Sequence, residues 1–255
     1  MKNALRKAAH AAYTRVVRPL TPATGYVTLG PARVFALHAL DRFVRRSWLP
    51  EELVLLGNAA HVDAERPASD LYEDALIDGL TRYVRPGDTV VIVGGGWGAT
   101  VVAAARAAGE GGRVVVFEGS PEYARRVTRT AALNGVADRV TLVVSIVAKA
   151  VDVWGDASAV AVTHARDLPR CDVLELDCEG AEMDILEGLT FRPRVILVET
   201  HGMNGAPTEA VAARLGEMGY AIHQNTIAET NLADDCLRLD VRVLHATDAR
   251  VAVAA

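Results

Sequence analysis

From Pro86-Gly87 onward the sequence repeats one rhythm: a short apolar run, a turn, then apolar residues at helical spacing. The runs are 89–93 (TVVIV), 113–117 (RVVVF), 139–144 (RVTLVV), 172–176 (DVLEL) and 194–198 (RVILV). Each is strand length and nearly all apolar, which suits strands buried on both faces, the condition of a parallel sheet covered by helices. Helical patterns fill most of the gaps, at 99–108, 121–133 and 181–189. A further one, 207–218, stops at Gly219, where glycine readily turns a helix end. Two final β-like runs, 220–228 and 236–245, are separated by the turn-rich Asn231 to Asp235. That piece is too short for a crossover, so the pair should be antiparallel. The prediction is an α/β fold: a seven-stranded, mostly parallel sheet with helices on both faces and a closing antiparallel strand pair. Residues 145–171 fit neither period well.

The N-terminal part reads differently. Residues 2–20 place Leu5, Ala8, Ala12 and Val16 on one helical face, with Lys7, Thr14 and Arg18 opposite. A second helical stretch is expected over roughly 31–47, and residues 57–69 read as a linker or lid. Ser69 could then cap a helix over 70–84, with Asp70, Glu73 and Asp74 in its first turns. The expected organisation is a helical extension and linker over 1–68, then one domain over 69–255.

Composition excludes several classes. A chain of 255 residues, about half apolar, suffices for one α/β domain with an appendage. Cys171, Cys178 and Cys236 are odd in number and lie in apolar stretches, so a reducing, cytoplasmic setting is expected rather than a disulfide framework. No Cys-x-x-Cys or His-x-x-x-His pair supports a zinc site. No apolar run is long enough to span a membrane, and no signal-peptide core is visible. Residues 1–50 carry nine Lys/Arg against Asp41 alone, whereas residues 51–255 carry 18 against 31 acids. The acidic body disfavours nucleic acid as the main substrate. The basic helix over 1–20 is a candidate for peripheral membrane contact or for docking on its own domain or a second subunit.

The chemistry concentrates at strand ends. Val93-Gly94-Gly95-Gly96-Trp97-Gly98 follows the first strand of the repeat and precedes a helix. Such a turn bends sharply and lets a ligand approach the backbone. Read as Gly94-x-Gly96-x-Gly98, it suits S-adenosylmethionine. Read as Gly94-x-Gly96-x-x-Ala99, it half fits a dinucleotide, and a plain turn without ligand is the bland alternative. Glu118 closes the next strand, where a carboxylate can accept hydrogen bonds from ribose hydroxyls; otherwise it is a solvated strand end. Residues 172–187 (DVLELDCEGAEMDILE) put Asp177 at the end of a strand adjoining the first, with Glu179 and Glu182 opening the next helix. Asp177 could merely cap that helix, and Glu182 could merely complement its dipole. Three carboxylates in six residues exceed what capping needs. Glu199-Thr200-His201 ends the fifth run, and a neutral imidazole with pKa near ~6.5 is a candidate general base there. His61, in the candidate lid, is the other histidine of note.

Asp177-Cys178-Glu179-Gly180-Ala181-Glu182 with Ile185-Leu186-Glu187-Gly188 resembles the signature of the FkbM family of S-adenosylmethionine-dependent methyltransferases. Tyr72-Glu73, Pro86-Gly87-Asp88, the glycine turn and Val198-Glu199-Thr200-His201 support the resemblance, which covers about residues 70–245. It implies a class I methyltransferase fold, Rossmann-like in its sheet. It implies S-adenosyl-L-methionine as cofactor, held by Glu73, Gly94, Gly95, Gly96, Gly98, Glu118, Gly119, Ser145, Ile146 and Asp177. The chain departs from the family's pattern at three positions: Ile92 replaces a usual acid, Gly96 a usual asparagine and Glu175 a common lysine.

The implied reaction is methylation of a hydroxyl on a sugar, glycan or polyketide-like small molecule. Asp177, Glu179 and His201 are the candidates for acceptor binding and deprotonation. A divalent ion bridging Asp177, Glu179 and Glu199 is conceivable, though such clusters more often bind polar ligands directly. Two rival readings remain open. A nicotinamide-dependent oxidoreductase is disfavoured because Lys149, the only lysine beyond residue 7, has no tyrosine four residues before it. A non-catalytic module of the same fold would use the basic helix to recruit a partner.

Overall fold

The computed structural model describes residues 26–29, 32–35, 72–151 and 159–251. Its central feature is a seven-stranded sheet built from β3 (Thr89–Val93), β4 (Arg113–Glu118), β5 (Val140–Val144), β8 (Val173–Leu176), β9 (Val195–His201), β10 (Tyr220–Ile227) and β11 (Val241–Asp248). The strand order is β10-β11-β9-β8-β3-β4-β5. β5, β4, β3, β8 and β9 are parallel, and β11 runs antiparallel to both β9 and β10. This is the expected sheet of a class I methyltransferase fold, with its closing antiparallel pair. The order reverses between β3 and β8, the place where open α/β sheets leave a crevice beyond their strand ends.

The all-apolar strands serve two cores at once, because successive side chains point to opposite faces. Val90 and Ile92 pack with α1 (Asp74–Tyr83), α2 (Ala99–Ala108) and α3 (Pro121–Leu133). Val91 and Val93 pack on the other face with α4 (Glu182–Gly188) and α5 (Thr208–Glu217). Burying a valine or leucine contributes about 1.5–3 kcal/mol, so the four residues 90–93, all at most 3% exposed, tie both layers to the sheet. Helix α3 starts where its sequence says: Ser120 caps it, accepting from the Tyr123 N–H at 3.4 Å, and Pro121 fills the first turn.

Three expectations change, and one unassigned stretch is filled. Residues 32–35, expected within a helix, form β2 (Ala32–Phe35), paired antiparallel with β1 (Tyr26–Leu29). Tyr26-Val27-Thr28 and Val34-Phe35 are β-prone residues either side of Gly30-Pro31, a turn signal the helical period overlooked. The helix predicted over 70–84 begins at Asp74, behind a left-handed Glu73 (φ 50°) as N-cap; Ser69 lies outside the described residues. Residues 236–239, expected in the last strand, belong to α6 (Ala233–Leu239). Asp240 ends that helix in a left-handed conformation, so β11 starts at Val241. The unassigned stretch supplies β6 (Ile146–Val147), β7 (Val162–Thr163) and a short 3-10 turn, Ala165–Asp167. The helix over 2–20, the lid with His61 and the boundary at 68/69 lie outside the described residues. Among the described residues no helix is long and apolar enough to cross a membrane.

Candidate functional site

The glycine turn leaves β3 directly against the end of β8. Gly94 adopts φ +99°, and a Cβ there would stand 1.7 Å from the Asp177 carbonyl oxygen. Its N–H donates to Phe117 O, while the Asp177 N–H donates to Val93 O, both at 2.9 Å. No side chain fits between these strand ends, so glycine is required by close approach as well as by backbone angle.

Glu118 holds the turn. Its Oε2 accepts from the N–H groups of Gly95 (2.9 Å) and Gly96 (3.1 Å), and its Oε1 accepts from Ser120 N–H (2.7 Å). Burial raises its pKa against the lowering effect of these three donors. The carboxylate expected to face a ribose is thus also the clamp of the loop.

These residues surround a cleft of about 540 Å³ at the strand ends. Glu73, Gly94, Gly96 and Glu118 line it, as do Gly119, Ser145, Ile146 and Asp177. Gly95 and Gly98 do not: Gly95 serves Glu118 through its N–H, and Gly98 is the N-cap of α2. The Ser145 hydroxyl is engaged by Ala161 O at 2.9 Å and Thr163 Oγ1 at 2.8 Å, so it fixes the β5–β6 corner.

Asp177 and Glu179 line the same cleft, and His201 stands behind them. Asp177 does not cap α4, whose N-cap is Ala181. Glu182, fully buried, accepts from the N–H groups of Gly180 (3.2 Å) and Cys178 (3.3 Å) and holds His201 Nδ1 at 2.8 Å. The other ring nitrogen, Nε2, lies 3.5 Å from Asp177 Oδ1, 3.5 Å from Glu179 Oε2 and 3.7 Å from Glu199 Oε1. Burial lowers the imidazole's pKa, but the Glu182 bond and the charges of Asp177, Glu182 and Glu179 outweigh it and hold it up to about 9. Three carboxylates thus face Nε2 and a fourth holds Nδ1, so the ring sits among acids rather than standing alone as a base.

Sequence reading missed part of the site. Glu199, named in the sequence beside His201 and as a candidate ion ligand but not as a cofactor or catalytic residue, lines the cleft, and so does Glu229, which the sequence reading does not single out. Glu229 sits just past β10, between the run read as a strand over 220–228 and the turn at Asn231 to Asp235, and nothing local marks it. Burial raises Asp177 to about 6 and Glu229 to about 7, and it raises Glu73 and Glu199 well above the usual range, with the neighbouring acids adding to each shift. Like charges crowded out of water resist ionisation together. Such a cleft favours a positively charged occupant.

Two departures from the family's pattern are neighbours in space. Ile92 and Glu175 are register partners across β3 and β8. Glu175 is fully buried, and burial, then Glu73 and Asp177, push its carboxyl well above the usual range.

Residues 156–222 match a family model described as the methyltransferase FkbM domain. The matched stretch contains the Asp177–Glu182 cluster and His201 and leaves out the glycine turn and Glu118. A search of curated proteins returns no match. Among solved structures, an S-adenosylmethionine-dependent O-methyltransferase from Thermotoga maritima is 17% identical, covering 77% of this chain and 72% of its own, with a TM-score of 0.49. An O-methyltransferase from Bacillus cereus in complex with S-adenosylhomocysteine is 18% identical, covering 82% of this chain and 97% of its own, with a TM-score of 0.46. A putative rRNA methylase from Clostridium thermocellum is 17% identical, covering 68% and 95%, with a TM-score of 0.46. The resemblance read from Asp177 to Gly188 falls within the stretch that this family model matches, residues 156–222.

Proposed function

We propose that the chain is an S-adenosylmethionine-dependent methyltransferase acting on a hydroxyl of a sugar, glycan or polyketide-like small molecule. The observation that carries this reading is the meeting of the glycine turn and the Asp177–Glu182 cluster in one acidic cleft. When bound, S-adenosylmethionine supplies an electrophilic methyl group on a positively charged sulfur.

The residues present suit that cofactor. The turn at Gly94 and Gly96 leaves backbone open to close approach, and Glu118 holds it rigid. Phe117, Ile146 and Val147 give the cleft apolar surface suited to a flat base. The carboxylates of Glu73, Asp177 and Glu199 suit a cation. On this reading Glu73, Gly119, Ser145 and Ile146 complete the cofactor-binding set with the turn and Glu118. Asp177 and Glu179 bind the acceptor hydroxyl, orient its oxygen and receive its proton. His201, anchored by Glu182, acts as a positioning residue for both carboxylates rather than as the base.

The test is labelled-methyl transfer into a cell extract, with Asp177→Asn beside the wild type. Asparagine keeps the shape and removes the charge. Turnover should fall by about two orders of magnitude or more, while the melting temperature shifts little. Near-normal turnover would remove Asp177 from the chemistry. Calorimetry in which the protein binds NAD and not S-adenosylhomocysteine would overturn the reading as a whole.

A further inference from the structure

We propose that the methyl acceptor carries a basic amine, held as an ammonium ion by Glu199 and Glu229 on the side of the cleft beyond β9. The proposal rests on the methyl-transfer reading and names the class of acceptor: an amine-bearing alcohol such as an amino sugar. The cleft has two sides. The glycine turn, Phe117, Glu118 and Ile146 follow or end β3, β4 and β5, on one side of the order reversal. Glu199 on β9, with Glu229, Asn231, Leu232 and Leu239 from the segment between β10 and β11, lines the other. Most residues assigned above to the cofactor stand on the first side, which leaves the second for the acceptor. That second wall is tied to α1: Ala75 N–H donates to Ala228 O at 3.4 Å, and Thr230 N–H donates to Asp74 Oδ1 at 3.0 Å.

Glu199 supplies the observation that points to a ligand. It is 9% exposed and lines the cleft, and its Oε2 has no hydrogen-bond partner among the described residues. A carboxylate oxygen can only accept, so an unpartnered one this deep is costly until a ligand brings a donor. Charge selects which donor. Asp177, Glu229, Glu73 and Glu179 crowd Glu199. Lys149 and Arg238 also line the cleft, but each pairs with another acid, Asp184 at 2.5 Å and Asp235 at 2.7 Å. The cofactor adds a single net positive charge, since its ammonium and carboxylate cancel beside the sulfonium. An ammonium ion on the acceptor donates several hydrogen bonds and relieves the repulsion among these acids; a neutral hydroxyl relieves none of it. Leu232 and Leu239 offer apolar surface to the carbon skeleton, and the Asn231 amide both donates and accepts toward hydroxyls.

The ammonium ion also directs the chemistry. Its nitrogen has no lone pair and cannot attack the methyl group. The nucleophile is the hydroxyl oxygen beside it, whose proton passes to Asp177 or Glu179 as the O–CH3 bond forms and the S–CH3 bond breaks. The electron pair stays on sulfur, and the products are an amine-bearing methyl ether and S-adenosylhomocysteine.

Ligand-observed NMR on the full chain, with S-adenosylhomocysteine present, compares D-glucosamine with the neutral D-glucose and N-acetyl-D-glucosamine. Glucosamine should bind about tenfold or more tighter than either neutral sugar, as expected for a charge-assisted hydrogen bond. Glu199→Gln should remove that preference while S-adenosylhomocysteine affinity is kept. The wild-type preference decides the matter if the variant fails to fold. No binding of glucosamine, equal binding of the three sugars, or an unchanged preference in a folded Glu199→Gln protein overturns the proposal. In labelled-methyl transfer, the small-molecule pool of a cell extract should lose its acceptor when its amines are acetylated beforehand. Label entering the acetylated pool equally well overturns the amine and leaves the methyltransferase reading intact. Glucosamine held as expected, with no S-adenosylhomocysteine bound by calorimetry, sinks the methyltransferase reading and leaves the amine-binding site standing.

Discussion

Gly94→Ala, compared with Gly87→Ala, separates the two demands a glycine can meet. Both residues have left-handed backbone, φ +99° and +91°. Placing a side chain in such a region costs about 1–3 kcal/mol at either position. They differ in their surroundings. A Cβ at Gly87 meets nothing within 4 Å, whereas one at Gly94 lies 1.7 Å from Asp177 O and 2.8 Å from Asp177 C. To restore van der Waals contact the Asp177 carbonyl must retreat by more than about 1 Å. That movement breaks the Asp177 N–H bond to Val93 O and loosens the Gly94 N–H bond to Phe117 O. Leaving those groups unpaired in a buried junction adds about 2–4 kcal/mol. At about 2–4 °C per kcal/mol for a domain of this size, the two variants should melt roughly 5–15 °C apart, with Gly94→Ala the lower. Thermal denaturation followed by circular dichroism measures this directly. S-adenosylhomocysteine affinity should be lost in Gly94→Ala and kept in Gly87→Ala. Equal melting temperatures would refute the argument, because they would leave backbone angle as the sole requirement at both sites.

Other predictions follow from single side chains. In Glu118→Gln an amide must replace two accepting oxygens, so either the Gly95 and Gly96 N–H groups or that of Ser120 meets a donor. A loss of about 1.5–3 kcal/mol should weaken S-adenosylhomocysteine binding roughly ten- to a hundredfold, and an unchanged Kd by calorimetry would free Glu118 of the role. Asp248, nearly buried at the end of β11, is held well below the usual carboxylate range by hydrogen bonds from Arg250 and Arg192, with Tyr220 the other titrating group beside it. Because its folded-state pKa is depressed, its stabilisation is present above the unfolded value of about 3.9 and is lost as pH falls through the folded value. Asp248→Asn should therefore lower the melting temperature by several degrees at pH 7, with the gap to wild type closing below pH ~4; a gap independent of pH would show that the charge is not what stabilises.

Where local chemistry is decisive, the sequence by itself determined the outcome. Thr89–Val93, Ala99–Ala108 and Pro121–Leu133 form the strand and helices their own residues predict, because an all-apolar run or a cap followed by a helical period needs no distant partner to be read. The Asp177–Glu182 cluster is contiguous, and so it was legible as a site. The seven-residue α6 was not, since it is too short for its period to stand out from the strands either side. Only the tertiary structure decided the electrostatics of the cleft. Glu73, Glu118, Asp177, Glu199 and Glu229 come from five separate segments, and their mutual burial raises pKa values that each residue alone would not have. His201 shows the same limit. In the sequence it is a lone histidine with an ordinary pKa. In the fold it is ringed by acids from the β8–α4 loop, α4 and β9, and Coulomb interactions among residues brought within 4 Å through space raise its pKa.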